Sequence, residues 1–261
     1  MLIRGTSISV TYKKIDGIKR VYYNNEDILK EFFNEATVLP IPDDAPVEIP
    51  RIIVKTLHEH AQLNISPVAT TFEVHYNDGF ERDWCACANY ITERMTKVLE
   101  FLNILTNNNY EYIGVVCNVI FDEVERDGAK ILSSTLLNTK NIRDIYDINI
   151  RYTFVENSSV FVNIMLQNAR MFKTGINMEQ PGALIAENQT AESIGAVIDV
   201  NDRYGFNSNA AYKSDSAKLK VLLDSMSNII NNKLHNLIER GEYWLWNKEK
   251  YGKMLLERHL Y

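Results

Sequence analysis

Apolar and polar residues alternate at period two near the start of the chain: in TSISVTY, residues 6–12, Ile8, Val10 and Tyr12 share one face. That alternation predicts a strand with one buried side, and GIKRVYY, across KKIDG, reads as its hairpin partner. The period then changes. In NNEDILKEFFNEA, Asn25 suits an N-cap, Glu26 and Asp27 suit a first turn, and Ile28, Leu29, Phe32, Phe33 and Ala36 form one helical face. The segment VLPIPDDAPVEIP carries four of the six prolines, so it is expected to run extended over the surface as a connector within a domain.

RIIVKTL, AQLNIS and VATTFEVHY are rich in β-branched residues and predict three strands. Beyond NDGFERD, the residues Trp84, Ala88, Ile91, Met95, Val98, Leu102 and Leu105 recur at spacings of three and four, which predicts a long helix. YIGVVCNVIFDEV resumes as a strand, followed by a polar excursion from Arg126 to Asn141. IYDINIRYTFVE and VFVNIMLQNARMF flank NSS as a hairpin, KTGINMEQPGALIAENQT has loop composition, and AESIGAVIDVND is a further strand. A second long helix follows, with Leu219, Leu222, Leu223, Met226, Ile229, Ile230, Leu234, Leu237 and Ile238 at helical spacing and Gly241 placed to end it. The aromatic piece EYWLWNKEKYGKMLLERHLY predicts one more helix.

The order of several strands and then one long helix thus occurs twice. A short echo accompanies it: YND at 76–78 precedes KVLEFLNIL at 97, and VND at 200–202 precedes KVLLDSMSNII at 220. The expected fold is therefore α+β: a large antiparallel sheet in one compact domain over 1–261, with pseudo-symmetric halves at 1–107 and 108–261 and the helices on one face.

Composition narrows the function. The 261 residues can bury a full core without accessory staples. A net charge of −6, from 28 Lys+Arg against 34 Asp+Glu, disfavours a nucleic-acid binder that relies on diffuse phosphate neutralisation. No apolar run approaches the ~18–20 residues of a membrane helix. Three cysteines without framework spacing and no apolar leader point to the cytosol. Walker, Rossmann and nucleophile-elbow motifs are all missing, so no catalytic residue and no cofactor is assigned.

The string IPRIIVKTLHEHAQLNISPVATTFEVHYNDGFERDW, with the helix after it, resembles a group of sporadically distributed, uncharacterised prokaryotic proteins of similar size. The strands-then-helix unit is also similar to the subunit of SecB-type chaperones. The resemblance covers about residues 45–105 and implies a fold more than a function.

Candidate chemistry is sparse. His58 and His60 form an H-x-H pair that could chelate a metal if His75 joined them, but HEH lies between strands, where a solvated turn is the default. Cys85 and Cys87 form C-x-C at a helix start without a matching pair, and Cys117 reads as core. Asp43, Asp44, Asp122, Glu123, Glu125, Asp199 and Asp202 are the acids a Mg²⁺ site would draw on. Tyr243, Trp244, Trp246 and Tyr251 are too closely spaced for one helical face to bury, so they divide between core and a partner-binding surface. The first expectation is a non-enzymatic binding, adaptor or chaperone-like protein that engages a polypeptide, or itself, through a sheet face, edge strand or tail. The alternative is a metal-dependent hydrolase or nuclease.

Overall fold

The computed structural model describes residues 1–42, 44–121, 127–137, 145–172 and 189–243. Among these residues, nine strands form a single antiparallel sheet: β1 (Leu2–Thr11), β2 (Thr37–Val38), β3 (Ile52–Lys55), β4 (Ala61–Ile65), β5 (Ala69–His75), β6 (Tyr112–Phe121), β7 (Asn149–Glu156), β8 (Val160–Phe172) and β9 (Gln189–Asn201). Their spatial order is β2-β3-β4-β5-β1-β6-β9-β8-β7. The helices are α1 (Ile18–Tyr23), α2 (Trp84–Thr106), α3 (Gly128–Leu136), α4 (Arg203–Ser208), α5 (Ser216–Asn228) and α6 (Leu234–Arg240), the last two joined by a π-turn over Ile229–Lys233. The sheet and helices make this an α+β protein, as the residue patterns predict.

The halves follow one course. In each, the first strand pairs with the last (β1 with β5, β6 with β9), the middle strands extend outward, and a long helix follows. They join where β1 pairs with β6, around Ile8 opposite Val115. YND immediately follows β5 and VND closes β9, so the sequence echo occupies corresponding places.

Cross-strand register explains why one face is core. Val54, Leu63, Phe72, Ile8, Val115, Val200, Val162 and Phe154 stand side by side across eight strands, all fully buried except Phe154, which is partly covered. Each such aliphatic contributes about 1.5–3 kcal/mol by leaving water. The long helices cover this face and meet where the Trp84 indole N–H donates to Ser227 Oγ at 2.7 Å. Asp83 and Asp215 cap them, accepting from the N–H groups of Ala86 and Ala217, and Gly241 closes α6 at φ 70°. No helix among the described residues is long and apolar enough to cross a membrane.

Three local expectations fail for physical reasons. GIKRVYY is α1, not a hairpin strand, because both edges of β1 are taken: Ile8 lies opposite Phe72 on one side and Val115 on the other. NNEDILKEFFNEA gives only one 3₁₀ turn, Glu26–Ile28, because β3 recruits the following chain. Asn34 N–H donates to Lys55 O and Leu57 N–H to Phe32 O, so these groups serve the sheet and not a helix. Within the polar excursion, α3 forms behind an Asp127 cap whose carboxylate accepts from Lys130 N–H at 3.1 Å. The proline-rich connector starts as β2 and is pinned by the buried Arg51, whose guanidinium donates to the carbonyls of Ala45, Pro46 and Ile49.

Candidate functional site

The sheet face opposite the core is polar because the strands alternate. Lys55, Gln62, Glu73, Ser7, Val116, Asp199, Asn163 and Thr153 form one continuous row across it, every member half-buried or exposed. At the second-half end of this face lies a cleft of about 320 Å³. Its walls are Arg151 and Thr153 from β7, Phe161 and Asn163 from β8, Asp199 and Asn201 from β9, and Arg203 and Asn207 from α4.

A chain of hydrogen bonds organises the floor. Asn163 Oδ1 accepts from Arg151 at 3.2 Å and from Thr153 Oγ1 at 2.9 Å, while its Nδ2 donates to Asp199 Oδ2 at 3.1 Å. Asn201 Nδ2 donates to Asp199 Oδ1 at 2.8 Å and Asn201 Oδ1 accepts from Arg203 N–H. Both Asp199 oxygens are therefore held by neutral amides. The Arg203 guanidinium lies over the Tyr112 ring, 5.3 Å from its centroid, and α4 is fixed by the edge-to-face pair of Tyr204 and Phe161 at 5.0 Å. Neither Arg151 nor Arg203 forms an ion pair among the described residues. The cleft is thus lined by two arginines and one aspartate, with the Arg203 guanidinium turned over Tyr112 of β6, in a chain whose net charge is −6.

β7, which carries Arg151 and Thr153, is the last strand of the sheet among the described residues. Among the described residues no main-chain hydrogen bond reaches it from the side away from β8. The opposite edge differs: there, β2 and the chain around Phe33 cover β3. Among the described residues, an open strand edge and the cleft therefore adjoin, sharing two residues.

Asp199 lies in this cleft, and the other described residues singled out from sequence lie elsewhere. His58 and His60 are exposed in the turn between β3 and β4, and exposed His75 ends β5, its N–H bonded to His60 O at 3.2 Å. Among the described residues no three His, Cys, Asp or Glu side chains gather as a metal ion requires. Cys85 is exposed, whereas Cys87 and Cys117 are buried, and burial pushes both thiols up to about 12. Asp202 is buried under α4 in a structural role, and Asp44 is exposed. Asp43, Asp122, Glu123 and Glu125 lie outside the described residues.

Tyr243 is a packing residue and not an exposed contact. It is 6% exposed and stacks on Phe154 with centroids 4.2 Å apart and planes 3° from parallel. Burial and the adjacent Glu156 carboxylate raise its phenol above the ordinary range. Trp244, Trp246 and Tyr251 lie outside the described residues. Sequence reasoning missed Arg151, Asn163, Asn201 and Arg203. The available signal was a lone polar residue within apolar runs, Asn163 in VFVNIM and Asp199 in VIDVN, at positions facing away from the core. The chain matches no family model, no curated protein and no solved structure.

Proposed function

We propose that the protein binds an extended polypeptide segment by strand addition at β7, as a non-enzymatic, chaperone-like or adaptor protein. The observation that carries this reading is the side of β7 left open among the described residues, an eight-residue edge strand rich in β-branched and aromatic residues. Such an edge offers unpaired N–H and C=O groups in a row, which is the template that strand-adding ligands use. NIRYTFVE contains no proline and no lysine, and its charged residues are Arg151 and Glu156. The adjoining cleft supplies side-chain recognition beside the main-chain ladder.

The test is an amide chemical-shift map with a β-prone, unstructured peptide as the titrant. Perturbation should centre on residues 149–153 and on the facing positions of β8. Perturbation confined to α2 and α5, or none at peptide concentrations of about 1 mM, the weak end of useful binding, overturns the reading.

A further inference from the structure

We infer that the segment accepted by β7 alternates apolar and acidic residues, with its acidic side chains on the cleft face. This rests on the strand-addition reading and deepens it by giving the partner a chemistry. In a paired strand, residues directly opposite one another share a sheet face, with Cβ atoms about 4.5–5.5 Å apart. Whatever lies opposite Arg151 and Thr153 therefore stands on the cleft side, and its immediate neighbours in sequence stand on the core side.

The two sides of β7 differ sharply. On the core side, Ile150 and Tyr152 are partly buried and pack against the hydrophobic core, so an added residue there extends an apolar layer. On the cleft side, Arg151 is exposed and its one side-chain bond goes to the neutral Asn163. A carboxylate opposite Arg151 gains a charge-assisted partner without breaking an existing ion pair. A carboxylate opposite Thr153 faces the cleft across a short side chain.

The cleft's own acid does not compete strongly for these cations. Asp199 is committed on both oxygens to the amides of Asn163 and Asn201. The chain's overall negative charge is spread over the molecule and screened beyond about 8 Å at physiological salt, so the Arg151 guanidinium at the edge sets the preference. A basic segment would meet Arg151 directly opposite, a like-charge pairing that destabilises a ladder.

The experiment compares three labelled peptides of about nine residues, a length sufficient for one strand. Valine alternates with glutamate, serine or lysine, and a terminal proline at each end discourages self-pairing. Fluorescence anisotropy against the full chain should rank glutamate over serine by roughly tenfold, the scale of one charge-assisted hydrogen bond, and serine over lysine. The advantage should shrink at about 0.5 M salt. Arg151→Gln, a change at an exposed position, should remove most of the glutamate advantage over serine. Equal binding of all three peptides, or a lysine preference, overturns the inference while strand addition stands. Binding of none overturns both. A glutamate advantage that survives in both Arg151→Gln and Arg203→Gln also overturns the inference, because it lies elsewhere.

Discussion

Asp202 and Ile113 are joined twice: the Asp202 carboxylate accepts from Ile113 N–H at 2.6 Å, and Asp202 N–H donates to Ile113 O at 3.1 Å. The other carboxylate oxygen accepts from Tyr212 Oη at 2.6 Å and Ser214 Oγ at 2.5 Å. One fully buried side chain thereby ties the end of β9 to the start of β6 and to the chain leading into α5. It also sets α4, which begins at the next residue and carries Arg203 into the cleft.

Asp202→Ala strands three donors in the interior and should lower unfolding free energy by about 3–5 kcal/mol, the cost of breaking a buried charged network. Asp202→Asn retains the shape and some acceptor capacity, so it should lose less. Urea melts of both variants measure this. An alanine variant within about 1 kcal/mol of the parent, the size of one ordinary hydrogen bond, would show that the carboxylate is not the tie.

The thiols give a pH signature. Cys87 and Cys117 rise from an ordinary 9.0 to about 12 because burial penalises the thiolate. The folded state therefore holds protons that the unfolded state has released between those values. Their contribution to stability is intact below pH 9.0 and is lost as pH climbs towards about 12. A thiol reagent at neutral pH should modify Cys85 rapidly and reach the other two only after denaturant is added. Rapid modification of all three in the native protein would contradict the buried placement.

Removing the Tyr243 ring deletes its stack on Phe154 and should cost about 3–5 kcal/mol, as for other buried aromatics. Tyr243→Phe keeps the stack and loses only the hydroxyl near Glu156 and Lys233, so it should cost far less. A chain ended before Glu242 removes the same ring and should be comparably destabilised. The tail's role in partner capture is therefore tested by ending the chain after Tyr243, with thermal melts checking that the fold is retained.

Gly5 sits at the bulge in β1, where an added Cβ would lie 2.8 Å from Val74 O. Gly5→Ala must displace the β1–β5 ladder and should cost about 1–3 kcal/mol, the range for overpacked sites. A melting temperature equal to the parent's would mean that the ladder yields freely there.

Much of the sheet was legible because its two faces differ. AQLNI and ATTFEVH alternate so cleanly that β4 and β5 could be read from composition and period, and the seam from Trp84 to Leu105 marked α2. The same local information misled where a distant strand decided the outcome. Nothing in GIKRVYY says that both edges of β1 are occupied, and nothing in NNEDILKEFFNEA says that β3 needs a cover. The cleft was less legible still. Arg151, Asn163, Asp199 and Arg203 span 53 positions of sequence and meet only because antiparallel register sets β7, β8 and β9 side by side.

The pairing of β1 with β6 has a consequence for the order of events during synthesis. The first half is complete once α2 has emerged, for β1 already has β5 as a partner. Until β6 arrives, however, the far side of β1 is a ten-residue ribbon of unsatisfied backbone, longer than the edge that β7 offers in the finished molecule. A nascent chain halted between α2 and β6 is thus a sticky intermediate, prone to pair with a sister chain through the seam meant for its own second half.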